Sequence, residues 1–347
     1  MDLSRKSVLV TGADGFIGSH LTEVLLGKCG SLKALCCYNS FNSYGNLDNP
    51  ARDLSGVEFI TGDVRDPFLC AKICKQTDVV FNLAALIAIP YSYIAPQSYI
   101  ETNVTGALNM CQAALDSGVS RFLQMSSSEV YGTAEYVPID EAHPLKPQSP
   151  YSASKIGADS IALSYWYSFK LPVVIARPFN AYGPRQSARA FIPTIITQIA
   201  SGSKRIKLGD TSPTRDMNYV ADICAALIKL AECDEAPGEA VNIGTGVETS
   251  VGDVFIMIRN LMGAAGASGV DGAAGVDGAA GVQIERDESR IRPRDSEVFR
   301  LVCDNSKLKR LTGFSPARTL NEGLGETIDW FVRGDRALRY KADAYNI

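Results

Sequence analysis

The chain of 347 residues, 46% hydrophobic, is longer than one average domain and rich enough in apolar side chains for a large core, which excludes a disordered or fibrous protein. Its formal net charge is −4 and it has no block of Lys and Arg, which argues against a nucleic-acid or polyanion surface, because neutralising phosphates takes clustered cations. No stretch approaches the ~18 consecutive apolar residues of a membrane span, and "MDLSRKSVLVTG" is too weakly apolar for a signal peptide. A cytoplasmic protein is expected, with small molecules or copies of itself as partners. The nine cysteines are odd in number and scattered, and only two histidines accompany them, so buried reduced thiols are expected rather than a metal site.

Short apolar runs alternate with helical patterns along the first half. "SVLVTG" precedes a helix over 17–28, "LKALCCY" and "VEFITGD" precede one over 67–76, "DVVFNLAA" precedes 97–118, and "RFLQMSS" precedes 150–169, before "PVVIARP". Strands that are apolar throughout, interleaved with helices, predict an α/β fold: a Rossmann-type doubly wound parallel sheet covered on both faces. After Pro178 the pattern loosens into "FNAYGPRQSARAF", a helix over 190–201, "SKRIKLGD", a helix over 220–233 and the strand "EAVNIG". The chain leaves the sheet, returns and leaves again. This gives a dinucleotide domain of 1–178 plus about 215–245, and a smaller, discontinuous C-terminal substrate domain of about 179–214 plus 246–347, with a ligand cleft between them. "GAAGASGVDGAAGVDGAAGV", residues 263–282, reads as a flexible loop without catalytic role between a helix over 251–262 and a strand near "VQIER".

"TGADGFIGSH" follows the first strand and opens a helix. Gly12, Gly15 and Gly18 permit a tight turn, close approach of backbone to a pyrophosphate at the helix N-terminus, and close helix–strand packing, with Phe16 and Ile17 in the first turn. The acidic residue usual about 20 positions on is missing: Tyr38, Asn39 and Ser40 stand there, and no obvious arginine replaces it, so NAD and NADP both stay open. Asp63, followed by Val64, ends the next strand, where it can accept from an adenine amine. Leu83, Ala84 and Ala85 follow the strand after that.

"SPYSASK" sets Tyr151 and Lys155 four apart, on one helix face. A lysine ammonium and a positive nicotinamide would favour the phenolate of a tyrosine whose ordinary pKa of about 10 makes it a poor base at neutral pH. "MSSSEVYG" (125–132) adds Ser127, Ser128 and Glu129 at a strand end.

Together "TGxxGxxG", "NLAA", Asn103, "SSSEVYG", "YxxxK", "RPFNAYGPRQ" and "RDMNYVAD" resemble an extended short-chain dehydrogenase/reductase of the NAD-dependent epimerase/dehydratase family. Residues 83–110 are most similar to nucleotide-sugar 4,6-dehydratases of the legionaminic-acid pathway type. The resemblance implies a recycled NAD or NADP and a nucleotide-diphosphate sugar substrate. Tyr151 would take the 4-OH proton as C4 gives up hydride, and Ser127 would bond the 4-oxygen. Glu129 would remove the acidified C5 proton; water would leave from C6, where the hydride returns. Ser128 stands where one subgroup has an aspartic acid, so the acid for the leaving hydroxyl is Tyr151, Glu129 itself or a water. The resemblance also points to Asn180, Arg185, Arg215 and Arg292 as substrate-binding, since guanidinium groups suit a diphosphate. It implies a homodimer through a four-helix bundle of the helices over 97–118 and 150–169. Tyr91 and Tyr93 either line the sugar pocket or pack against the second domain; His20 and His143 are read as structural. The rival activities are UDP-glucuronate decarboxylation and 4-epimerisation; a non-enzymatic NAD(P)-binding protein would not need Ser127, Tyr151 and Lys155.

Overall fold

A computed structural model describes residues 1–48, 52–267, 281–333, 340 and 345. Strand β1 (Ser7–Thr11) passes through the glycine turn into α1 (Phe16–Leu25). Then come β2 (Ser31–Cys37), β3 (Val57–Gly62), α2 (Pro67–Cys74), β4 (Val79–Asn82), α3 (Ile89–Ile94), α4 (Pro96–Tyr99), α5 (Gly106–Asp116), β5 (Arg121–Met125), α6 (Pro150–Phe169) and β6 (Val173–Pro178). The remainder comprises β7 (Ala181–Tyr182), α7 (Phe191–Ala200), β8 (Arg205–Leu208), β9 (Thr214–Asp216), β10 (Asn218–Tyr219), α8 (Val220–Glu232), β11 (Ala240–Ile243), β12 (Glu248–Ser250), α9 (Val251–Ala267), β13 (Gln283–Arg286), β14 (Arg300–Leu301), α10 (Ser306–Thr312) and α11 (Leu320–Val332).

Seven strands form one parallel sheet in the order β3-β2-β1-β4-β5-β6-β11. Its central strands β4, β5 and β6 are buried at every position because both faces are covered, and the period-2 alternation sorts their side chains. Val8, Val10, Phe81, Leu123 and Val174 pack with Leu21 and Leu25 of α1 and Ile223, Leu227 and Leu230 of α8. Leu9, Val80, Phe122, Val173 and Ile175 pack on the other face with α2, α5 and α6 through Ile73, Met110, Ala114 and Tyr165. A separate apolar cluster joins α7, β8, α9 and α11 through Ile195, Ile199, Ile206, Val254, Ile258, Leu324 and Phe331. β9 pairs with β12 and β14 in a small sheet of its own, so the chain rejoins the large sheet with α8 and β11 rather than at residue 215.

Two elements differ from the sequence expectation. The helix expected over 97–118 is α4, then a π-helical turn at Ile100–Thr105, then α5; periodicity does not reveal one inserted residue. The helix expected to stop at 262 continues to Ala267, since the alanines of "GAAGA" favour helix despite their glycines. Residues 268–280 of the Gly/Ala repeat lie outside the described residues. All nine cysteines are free; six are buried, Cys37 is exposed.

His20 of α1 donates from Nε2 to the Pro184 carbonyl at 3.0 Å, which ties the "YGPR" loop to the sheet domain. Burial depresses its pKa from 6.5 to about 4. The unfolded chain therefore takes up this proton first as pH falls: the stability contributed by neutral His20 is complete above pH 6.5 and is lost between there and pH 4, about 3 kcal/mol at most. Over that window the wild type should lose more urea-unfolding free energy than His20→Gln, which keeps a donor for Pro184. Parallel stability curves for the two proteins would contradict this.

Candidate active site

The sheet order reverses between β1 and β4, and ligands of doubly wound sheets bind in the crevice at that point, beyond the strand C-termini. Side chains lace these ends together. Thr11 donates to Asn82 Oδ1 at 2.8 Å, Asn82 donates to Gln124 Oε1 at 2.8 Å, and Thr11 Oγ1 accepts from the N–H groups of Leu83 and Ala84, both at 3.1 Å. The glycine turn lies against this lacing. Gly12 has φ +65°, and a Cβ there would stand 2.9 Å from the Ala84 backbone; one on Gly18 would stand 2.1 Å from the Gly12 carbonyl. Gly15 begins α1 with no side chain capping the helix, so the amides of its first turn, at Phe16 and Ile17, face outward for an anion. A strand-to-helix turn with glycine at its closest approaches, closed by an uncapped ten-residue helix, fits the pyrophosphate of a dinucleotide.

The adenosine end is arranged differently from the sequence reading. The Asp63 carboxylate is clamped by Arg65, at 2.6 Å from Nη2, 3.0 Å from Nε and 2.9 Å from the backbone N–H, and the guanidinium holds its carboxyl below the usual range. Asn39 spends its amide inside its own loop, bonding the backbone of Cys37, Phe41 and Ser43. Ser40 is exposed beside it, and Val64 is buried in the apolar layer under α2 and α5.

The residues of the candidate site gather where β5 ends against α6. Ser127 adopts an extended conformation (φ −160°, ψ 152°) and caps the following 3-10 turn, its Oγ accepting from Glu129 N–H at 3.2 Å. The same hydroxyl lies close enough to the Tyr151 phenol to favour its ionised form. Tyr151 sits in the first turn of α6, behind Pro150 and a Ser149–Ser152 capping box, where the helix dipole favours a phenolate. Its phenol is only 7% exposed; burial pushes its pKa up, with Glu129 adding to the rise and the Ser127 hydroxyl opposing it.

One turn on, Lys155 is buried and donates to the Met125 carbonyl at 2.9 Å; burial lowers its pKa from 10.5 to about 8, against the pull of Asp159. Asp159, a further turn along the same face, accepts from Ser126 Oγ at 2.8 Å and from two guanidinium nitrogens of Arg177 at 3.2 Å. Arg177 Nη1 donates to Tyr131 OH at 3.1 Å, and Tyr131 donates to Asn242 Oδ1 at 2.7 Å. A buried line of polar groups thus runs behind Lys155. The sequence reading had not singled out Asp159 or Arg177, although Asp159 lies four after Lys155 and Arg177 opens "RPFNAYGPRQ".

Asn103, in the π-helical turn, exchanges hydrogen bonds with the Leu86 backbone (2.8 and 2.9 Å) and donates to Ser154 Oγ at 2.8 Å, fixing the strand-to-helix connection over the site. π-Helical turns recur at functional sites. A cavity of about 250 Å³ opens beside it, lined by Ala85, Leu86, Ile87, Ala88, Tyr91, Tyr99 and Arg189.

On the other side of Tyr151, Arg215 and Arg292 converge on Glu297, at 3.3 and 3.9 Å, and the Glu129 charge acts on both guanidinium groups. Asn180 Oδ1 and Arg292 Nη1 are buried without a hydrogen-bond partner. Tyr93 reaches this region through a hydroxyl contact with Ser296 at 2.5 Å. Ser128 is buried at the base of the turn, and among the described residues no hydrogen bond engages the Glu129 carboxylate. Arg185 departs from the sequence reading. It has φ +70° and is held at 2.7 Å by Glu23 of α1, and among the described residues no bond joins it to Arg215 or Arg292. His143, also buried, bonds the Glu135 N–H and the Pro144 carbonyl locally.

A doubly wound sheet with an anion-ready glycine turn, and a Ser–Tyr–Lys constellation at its switch point, defines a nucleotide-binding enzyme of the extended short-chain dehydrogenase/reductase class. The model of the GDP-mannose 4,6-dehydratase family matches residues 9–327, and the chain belongs to that family. The low-salt glycan biosynthesis protein Agl12 of Haloferax volcanii is 36% identical over 331 residues, covering 94% of this chain and 99% of its own. The dTDP-glucose 4,6-dehydratase DesIV from Streptomyces venezuelae, solved with NAD bound, superimposes with a TM-score of 0.81 at 29% identity, covering 94% of this chain and 96% of its own. The UDP-N-acetylglucosamine 4-epimerase from Methanobrevibacter ruminantium has the same TM-score at 30% identity, covering 95% and 99%. Among the described residues no helix is long and apolar enough to cross a membrane.

Proposed function

We propose that the protein is a nucleotide-sugar 4,6-dehydratase, acting on UDP- or GDP-linked N-acetylglucosamine in legionaminic-type sugar biosynthesis and yielding a 4-keto-6-deoxy sugar. The observation that carries this reading is Glu129: a carboxylate without a hydrogen bond, on the turn that holds Ser127 against Tyr151, with its charge felt by Tyr151, Arg215 and Arg292. An enzyme that only oxidises and re-reduces C4 has no need of a base there.

The chemistry supplied by a bound nicotinamide is hydride acceptance from C4 and its return at C6. Tyr151 receives the 4-OH proton, while the Ser127 hydroxyl, close beside the phenol, holds the 4-oxygen in line. Protonated Lys155, anchored on Met125 and backed by Asp159, supplies the nearby positive charge. Once C4 is a carbonyl the C5 proton is acidic; Glu129 removes it, and the 6-hydroxyl leaves as water with a proton returned by Glu129 itself, by Tyr151 or by a water. Arg215 and Arg292 grip the diphosphate, which displaces Glu297 as their anionic partner, and the orphaned Asn180 Oδ1 receives a donor from the substrate. Segments 179–214 and 246–347 hold the nucleotide sugar and the large sheet holds the dinucleotide.

A 4-epimerase is the second reading, supported by the solved epimerase of similar fold. Incubating the protein with a panel of UDP-, GDP-, dTDP- and CDP-sugars under mass detection separates them. A product lighter by one water supports the dehydratase; a product of unchanged mass, inverted at C4, replaces it with the epimerase.

The assembly is a homodimer in which α5 and α6 meet their copies. Ile100, Leu108, Tyr167 and Phe169 are exposed apolar side chains on and beside these helices, and solvent-exposed groups of this kind gain from burial. Light scattering should give twice the chain mass; the mass of a single chain would contradict the dimer.

A further inference from the structure

Strand β9 is three residues long, yet it carries two charged side chains that the alternation of a strand sends in opposite directions. Arg215 turns toward Glu297 and the candidate site. Asp216 turns into the interior, where it is fully buried, and among the described residues no cation pairs with it. A carboxylate is costly to bury unless hydrogen bonds replace its water, and neutral donors surround this one. Its Oδ1 accepts from the Thr245 N–H at 2.9 Å, Thr245 Oγ1 at 2.6 Å and Asn218 Nδ2 at 3.3 Å, and its Oδ2 accepts from the N–H groups of Gly246 at 2.8 Å and Cys303 at 3.2 Å.

These donors belong to both neighbours of β9. Thr245 and Gly246 lead from β11 of the large sheet into β12, and Cys303 follows β14; β9 lies between β12 and β14, with Arg215 opposite Thr249 on one side and Leu301 on the other. One carboxylate therefore fastens the entry to β12 and the exit from β14 to the strand between them. Gly244 leaves room for it, since a Cβ there would stand 2.9 Å from Asp216 Oδ2. The β14 side matters most, because Arg292 and Glu297 lie on the segment that runs into β14. Arg215 Nη2 and Arg292 Nη1 meet on the same Glu297 Oε1, at 3.3 and 3.9 Å, so the seating of β14 on β9 sets the spacing of the two guanidinium groups.

We propose that Asp216 is the positioning residue of the diphosphate site, holding Arg215 and Arg292 at the spacing at which both grip one diphosphate. The inference rests on the reading of these two arginines as diphosphate ligands. Asp216 touches no substrate and acts through β9 and β14. An asparagine of the same shape would turn its amide NH2 against N–H donors on one side of β9, which releases one neighbouring strand. Guanidinium groups grip phosphate through paired, directional bonds, so a shift of one strand costs binding although both arginines remain.

Titration calorimetry of the full chain with UDP and with GDP tests this. The wild type should bind at least one of them, and Asp216→Asn should bind it about ten-fold more weakly. In an Arg292→Gln background, with no second guanidinium left to align, Asp216→Asn should cost no more than about two-fold. Thr245→Val removes a single donor and keeps the carboxylate and its other partners; it should lose about three-fold, and it serves where the asparagine variant does not fold. Wild-type affinity in Asp216→Asn or Thr245→Val, or an equal loss from Asp216→Asn with and without Arg292, would overturn the positioning role. A wild type that binds neither UDP nor GDP would instead overturn the reading of Arg215 and Arg292.

Discussion

Glu129→Gln is expected to lower net turnover by about 10³-fold, in the middle of the range for loss of a positioned general base, while oxidation at C4 survives. The two halves of the reaction use different side chains. Tyr151 and Ser127 lie close together and handle the 4-oxygen, and Lys155 and Asp159 lie behind them. Glu129 shares only its electrostatic field with that group and with Arg215 and Arg292. An amide of the same shape keeps the turn capped by Ser127, because that bond is made to the backbone N–H. The variant should therefore convert substrate once, accumulating reduced dinucleotide that is visible by absorbance, and stall before water is lost. Turnover within a few-fold of wild type would remove Glu129 from the mechanism. Absence of reduced dinucleotide would mean that the turn had been disturbed as a whole.

The second large effect is on stability. Arg177→Met removes one partner of a buried ion pair and leaves the Asp159 carboxylate, fully buried, with Ser126 and the more distant Lys155. Breaking a buried pair from one side costs about 3–5 kcal/mol, far more than an exposed pair contributes. The wild-type network already carries one deficit, the unpartnered Asp159 Oδ1, so there is little slack to absorb the change. Urea unfolding followed by fluorescence should show the loss in full, and a change below about 1 kcal/mol, as for an exposed pair, would contradict the network. Asp159→Asn adds a kinetic readout. Asp159 raises the Lys155 pKa against burial, so without it the loss of kcat/KM on the alkaline side should begin below the wild-type value of about 8. An unchanged limb would assign Asp159 a purely structural role.

Local patterns made much of this protein legible. The parallel sheet announced itself because strands buried on both faces carry consecutive apolar residues, as in "VVF" of 79–81 and "VVIA" of 173–176. The glycine turn and the Tyr151–Lys155 spacing are likewise set within one strand-turn-helix or one helix turn. What sequence did not reveal depends on partners far apart in the chain. Arg185, read as a diphosphate ligand, is bonded through Nη2 by Glu23, 162 positions earlier. Asp63, read as an acceptor for adenine, is bonded by Arg65 two residues on. A three-residue strand carries no signal of its partner, so the pairing of β9 with β12 and β14 is seen only in the structure.

The central claim is elimination at C5 and C6 with Glu129 as base, and the most direct measurement is turnover of UDP- or GDP-N-acetylglucosamine in deuterium oxide with the product's C5 position read by NMR. The expected product is a 4-keto-6-deoxy sugar, short of one water and carrying deuterium at C5. A product of unchanged mass, inverted at C4 and with protium retained at C5, would contradict the account.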